Sequence, residues 1–209
     1  MTSRAPATNT YHHGALRQAL LQRAAEVIEN DGIEALTLRG LARDLGVSHA
    51  APNRHFRNKE ELLATLAASA YEQMSAATLD AADAAGDDPW VRLNAMGRGY
   101  LRWALEHRAL FTTVVHPDLN RFVDAPLRQR IQKFQQTVRQ ACDAAQTAGR
   151  HRGVDPRILS LYTNAVPFGA ALLVTHPVFA AEVQDQDLDE LVAAVIDLVV
   201  PIAGRPATG

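Results

Sequence analysis

The chain has 209 residues, 47% of them hydrophobic and 21% charged, with a formal net charge of −2. That apolar share supports a buried core and excludes a disordered chain. The single cysteine, Cys142, excludes an internal disulfide and a Cys-based zinc site. Alanine supplies 37 residues and aromatics only 6%, a balance that favours helices over strands, so an all-α fold is expected. The first residues lack the basic-then-apolar layout of a signal peptide, which suits a cytoplasmic protein.

Charge is unevenly spread. Residues 1–60 hold eight Arg or Lys against six acids, with four further histidines, while residues 61–209 hold thirteen against seventeen. A basic-leaning head on an acidic body is the asymmetry expected when one end meets an anion.

Residues 1–11 are polar and read as a flexible arm. Leu16, Leu20, Ala24, Val27 and Ile28 then form a helical stripe, which Asn30-Asp31-Gly32 ends. Thr37 is placed to cap a short second helix carrying Leu38, Leu41, Ala42 and Leu45 inward, stopped by Gly46. Only Val47 separates that stop from the next cap, Ser48, and a third short helix is expected from His49 to about Phe56, with Pro52 and Phe56 facing the core. Asn58 caps a long fourth helix, and Glu61 three residues on completes a capping-box-like pair. Residues 12–60 therefore form a helix-turn-helix domain. This layout suits a DNA reader, and it is also an ordinary way to pack helices.

The remainder, 61–209, reads as one helical bundle. Asp88-Pro89 and Asp155-Pro156 each set a capping acid before a proline, and another helix runs from about Pro126 to Gly149. Ile158 to Ala181 is a run of 24 residues without Asp, Glu, Lys or Arg. Its length would cross a membrane, but Asn164, Pro167, His176 and Pro177 break its apolar character, so no membrane is expected. The last helix carries Leu188, Leu191, Val192, Val195, Ile196 and Val199 and stops at Pro201. Two helices apolar on more than one face must bury more than one face, which predicts a homodimer through a four-helix interface.

Chemistry-bearing patterns are few. No nucleophile elbow, metalloprotease motif, phosphate loop or dinucleotide fingerprint occurs, so no enzyme, cofactor or metal site is expected. His12-His13 could be a metal pair, part of an arm on DNA, or plain surface; adjacent histidines make poor metal geometry. Cys142 sits on an apolar stripe without a flanking cation, as an inert thiol does. An apolar pocket would use aromatic bodies with a few polar tips. Trp90, Met96, Tyr100, Trp103 and Phe111 are candidates for it, as are Phe134, Tyr162, Asn164 and Phe168. Each of these could equally be plain core.

The stretch Leu36-Thr37-Leu38-Arg39-Gly40-Leu41-Ala42-Arg43-Asp44-Leu45-Gly46-Val47-Ser48, continuing through Arg54-His55-Phe56-Arg57-Asn58-Lys59-Glu60-Glu61-Leu62-Leu63, resembles the tetracycline-repressor-like (TetR) family of bacterial regulators. The likeness is concentrated in residues 12–66; beyond them it rests on helix number and order. It implies a dimer whose third helix enters the major groove of a palindromic DNA operator, with a small apolar effector bound in the C-terminal bundle.

A groove-reading helix needs small or hydrogen-bonding residues at its start, here Ser48, His49, Ala50 and Ala51. Arg39 matches a family position that can reach a base. Thr37, Asn53, His55 and Lys59 match positions that hold phosphates, and Arg54 and Arg57 lie beside them. Asn53 replaces the family's usual aromatic, and Pro52 stands where leucine is common. Rival readings are a binding protein for an apolar ligand, whose helix-turn-helix is only scaffold, and a small all-α enzyme.

Overall fold

The computed structural model of the chain describes residues 9–117, 121, 123–149, 151–175 and 187–201, with side chains from residue 15 onward. Eight α-helices and no strand occur among the described residues. They are α1 (Asn9–Asp31), α2 (Leu38–Asp44), α3 (Lys59–Ala84), α4 (Pro89–Glu106), α5 (Arg108–Val115), α6 (Ala125–Thr147), α7 (Pro156–Thr175) and α8 (Leu188–Val199). Two short 3₁₀ turns, Ile33–Ala35 and Pro52–Arg54, complete the head. Helix α1 begins at Asn9, so the end of the polar N-terminal stretch is already helical. The side chains of His12 and His13 lie outside the described residues, as do His176 and Pro177.

Local chemistry accounts for most of these boundaries. The Thr37 hydroxyl accepts the Gly40 N–H at 3.0 Å and caps α2. At the other end, Gly46 takes φ +65. Its N–H reaches the Arg43 carbonyl, and the Val47 N–H reaches Ala42, the paired bonds of a Schellman stop. The Asn58 side chain accepts from the Glu61 N–H at 2.9 Å. Glu61 reaches back one residue further than a capping box requires, accepting the Arg57 N–H at 2.7 Å. Asp88, Asp124 and Asp187 cap α4, α6 and α8.

The expected third α-helix is a correction. Residues 49–55 form turns and a 3₁₀ segment, held by the three-residue bonds Ala51 to Ser48, Arg54 to Ala51 and His55 to Pro52. The only four-residue bond there runs from the Phe56 N–H to the Pro52 carbonyl, at 2.9 Å. Pro52 is the cause: it has no N–H for the Ser48 carbonyl, and its ring crowds that carbonyl. Ser48 takes the Ala51 N–H instead, and the segment winds tightly. Pro52 and Phe56 are buried, as expected.

The head packs around Leu20, Ala24, Ile28, Leu36, Leu41, Phe56 and Leu62, and its core continues through Ala109 of α5 and Leu127 of α6 into the body. The body encloses two further clusters, one around Met74, Leu101, Phe111 and Ile196 and one around Trp90, Leu93, Cys142 and Val199. Helix α3 belongs to both halves: its first turns pack the head and its later turns pack α4. Helix α7 is long and apolar enough to cross a membrane by length and composition. It packs instead on α4, α6 and α8 with Leu159, Pro167 and Ala171 inward.

Candidate DNA interface and effector cavity

Most of the proposed DNA-facing residues are exposed in the head, and Thr37, Arg39 and His49 border one concavity. Thr37, Arg39, Ser48, His49, Ala50, Asn53 and Arg54 are exposed, while Ala51, His55 and Lys59 are half-buried. Because the Thr37 hydroxyl accepts from Gly40, its own proton is left to donate. Arg39, one residue into α2, has no ion-pair partner among the described residues. Lys59 sits at the N-terminus of α3, 4.0 Å from Glu34, where backbone N–H groups and the helix dipole already favour an anion.

Two neighbouring arginines are committed elsewhere. The Arg57 guanidinium bonds Glu61 at 3.0 Å. The Arg57 backbone N–H, followed by this guanidinium, holds the Glu61 carboxyl below the usual carboxylate range. Arg43 points outward beside Asp44. Asp44 itself is tied to Arg23 at 3.1 Å, which fixes α2 on α1.

The body holds a cavity of about 440 Å³ between α3, α4, α6, α7 and α8, with Val114 of α5 also in its wall. Five of the nine expected pocket residues line it: Met96, Tyr100, Phe134, Asn164 and Phe168. The other four lie elsewhere. Trp90 is core, and its indole N–H donates to the Pro201 carbonyl at 2.6 Å. Trp103 is buried and stacks on His107 at 5.5 Å. Phe111 is fully buried and meets the Phe168 ring edge-on at 6.2 Å, so it backs the cavity wall without reaching the space. Tyr162 points out from α7.

Sequence reasoning missed Tyr71, Met74 and Thr78 of α3, Gln135 of α6 and Thr163 of α7 as lining residues. A signal for α3 was present. Met74 lies on the apolar stripe of that helix, and a threonine four residues later on the same stripe marks a place where a polar group faces something other than plain core.

No lining residue among those described is charged. Burial raises the Tyr71 and Tyr100 phenols above the ordinary tyrosine range, and their nearness to each other adds to the rise at Tyr100. Cys142 lies just behind the wall, its thiol 3.3 Å from the Thr163 hydroxyl and pushed up by burial, as an inert thiol is.

One wall of the cavity is pinned by polar contacts between α4 and α8. The buried Asn94 amide donates to the Val200 carbonyl at 2.7 Å and to Asp197 at 2.9 Å. Arg98 donates to Asn94 at 2.7 Å and pairs with Asp197, and Arg102 reaches Asp189 at 2.6 Å. Together with Trp90, these residues recur every four positions along one face of α4, so a single helix face fixes α8 along its length.

A family model described as bacterial regulatory proteins of the tetR family matches residues 20–66, and one described as the tetracyclin repressor-like C-terminal domain matches residues 93–199. The chain belongs to the tetracycline-repressor family of bacterial regulators. Its head is 45% identical over 51 residues to the class C tetracycline repressor protein of Escherichia coli, a match spanning 24% of this chain and 23% of that repressor. A protein of unknown function from Rhodococcus sp. RHA1 is similar over nearly the whole length. It is 32% identical, covers 91% of this chain and 96% of that one, and has a TM-score of 0.74. AibR, crystallised with isovaleryl coenzyme A and operator DNA, shares the fold at 19% identity and a TM-score of 0.70, covering 88% of this chain and 98% of that one. As in the family, a DNA-binding helix-turn-helix precedes a C-terminal effector domain.

Proposed function

We propose that this protein is a cytoplasmic, homodimeric repressor that binds a palindromic operator and releases it when a small apolar effector fills the cavity, working by binding and without catalytic turnover. The observation that carries this reading is the double membership of α3. Its first residue, Lys59, belongs to the helix-turn-helix head, and Tyr71, Met74 and Thr78 of the same helix line the cavity. Twelve residues of helix separate Lys59 from Tyr71, or about 18 Å at the helical rise. A ligand that shifts the cavity wall thus moves the phosphate anchor through one rigid rod. It changes DNA affinity only if it prefers the spacing of heads that DNA does not.

In this reading Ser48, His49, Ala50 and Ala51 meet base edges, and Arg39 pairs with a base. Thr37, Asn53, Arg54, His55 and Lys59 hold phosphates. The proposal is supported for the dimer by the outer faces of α7 and α8, which expose Ile158, Leu161, Leu172, Leu173 and Leu198.

The test is a selection of bound duplexes from a random library, followed by salt-titrated binding of the winner. A palindrome bound two subunits at a time, with affinity falling steeply in salt, is the expected result. Failure to enrich any sequence, with weak binding at every salt concentration, would overturn it.

A further inference from the structure

Tyr71 of α3 and Tyr100 of α4 bring two phenols to the same cavity. Neither hydroxyl has a hydrogen-bond partner among the described residues, and neither is sealed away from accessible space. The other polar groups of the wall are partly spent locally. The Thr78 hydroxyl donates to the Met74 carbonyl at 2.8 Å, and the Asn164 amide donates to Ser160 at 2.6 Å. With the exposed Gln135 amide, the two phenols are the hydrogen-bond donors left without a partner among the described lining residues, and of these the phenols are the ones that burial holds inside the wall.

We propose that the ligand of this cavity is a neutral, largely apolar molecule with a carbonyl oxygen that accepts hydrogen bonds from the Tyr71 and Tyr100 hydroxyls, making these two residues determinants of effector specificity. This rests on reading the cavity as the effector site. Three alternatives are disfavoured by the lining itself. A carboxylate or phosphate would lose its water with no Lys, Arg or His among the described lining residues to replace it. The same environment already resists ionisation of both phenols. An ammonium would find aromatic faces in Phe134 and Phe168 but no carboxylate among the described lining residues. A pure hydrocarbon would leave both phenols unpaired once it had displaced water, and a site built to bond a polar atom rejects an analogue that lacks it. A carbonyl oxygen has two lone pairs and no proton to place, which suits two donors arriving from two helices.

The test uses the full-length protein and four probes of one shape: 2-acetylnaphthalene, 2-ethylnaphthalene, 2-naphthoate and (2-naphthylmethyl)trimethylammonium, compared by calorimetry. The ketone should bind about tenfold tighter than the hydrocarbon, with the two ions weaker still. Tyr71→Phe and Tyr100→Phe remove one oxygen each and keep the ring. Each should weaken the ketone about five- to tenfold and leave the hydrocarbon unchanged. The proposal fails if either ion matches the ketone, if both variants bind the ketone as the unsubstituted protein does, or if no probe binds. Binding of the selected operator by the same samples separates the two readings. Operator binding without ketone preference sinks the ligand class alone, and ketone preference without any operator sinks the regulator reading alone.

Discussion

Arg39 and Lys59 would present two kinds of positive charge to the same polyanion. Arg39 is exposed near the start of α2, with no ion-pair partner among the described residues, and its planar fork suits the paired acceptors on a guanine edge. Arg39→Ala should therefore relax preference at one operator position by ~1–3 kcal/mol, read from a panel of single-base operator variants. Lys59 is a point charge at a helix N-terminus, so Lys59→Ala should weaken all sequences alike and flatten the salt slope by about one. Glu34 gives a converse test. It lies 4.0 Å from Lys59 and 3.8 Å from His116, so Glu34→Gln should strengthen DNA binding without altering sequence preference. Identical effects of all three substitutions on affinity and salt slope would refute this division of labour. Glu61 adds a dependence on pH. Its folded pKa is lowered, so its contribution is present above the ordinary value of 4.5 and is lost as pH falls through the folded pKa. Acid unfolding of Glu61→Gln should accordingly be less steep below that value, with little change in the pH dependence near neutrality.

Among the elements, α3 and α4 are tightly packed at Gly99. A Cβ there would stand 2.5 Å from the Ala77 carbonyl oxygen and 2.9 Å from the Ala81 Cβ, backbone and a methyl that cannot swing aside. Gly99→Ala should cost about 1–3 kcal/mol in denaturant unfolding, even though alanine is the better helix former. Gly97 is the matched control two residues away. The atoms nearest its added Cβ belong to the Ile196 side chain, from 3.1 Å, which can give toward the cavity, so Gly97→Ala should cost less stability than Gly99→Ala while narrowing the cavity it lines. Equal losses from both would show that crowding against backbone is not what matters. The same elements show what the sequence makes legible. Caps and stops are local chemistry, and Thr37, Gly46, Asn58 and Asp88 mark them correctly. Residues 49–55 depart from the expected helix because Pro52 leaves a missing N–H at its fourth residue, which removes the first full turn of so short a helix. The break between α4 and α5 at His107 has no glycine or proline to announce it. Which aromatics reach the cavity depends on how six helices cross. Trp103 and Phe111 are as aromatic as Phe134 and Phe168, and only tertiary packing separates them.

At the scale of the whole molecule, the proposed dimer turns on apolar surface that one chain leaves uncovered. Leu198 is 83% exposed, Leu161 67% and Ile158 58%, all on the last two helices, whereas the polar contacts of α4 hold the opposite side of α8. Large apolar side chains left exposed on neighbouring helices mark an association surface. Pairing it with its own copy buries the same patch twice under two-fold symmetry. Leu172→Glu combined with Leu198→Glu should therefore give a monomer by sedimentation at micromolar concentration. Both positions are exposed in the single chain, so helicity should be unchanged. A monomer presents one head, and the selected palindrome then loses the gain from binding two half-sites at once. Affinity for the full operator should fall toward that for a single half-site, while the ketone of the naphthalene series should keep binding if the cavity closes within one chain. Loss of ketone binding in the same monomer would mean that the second subunit completes the cavity. A double variant that still sediments as a dimer would show that the molecule pairs through another face.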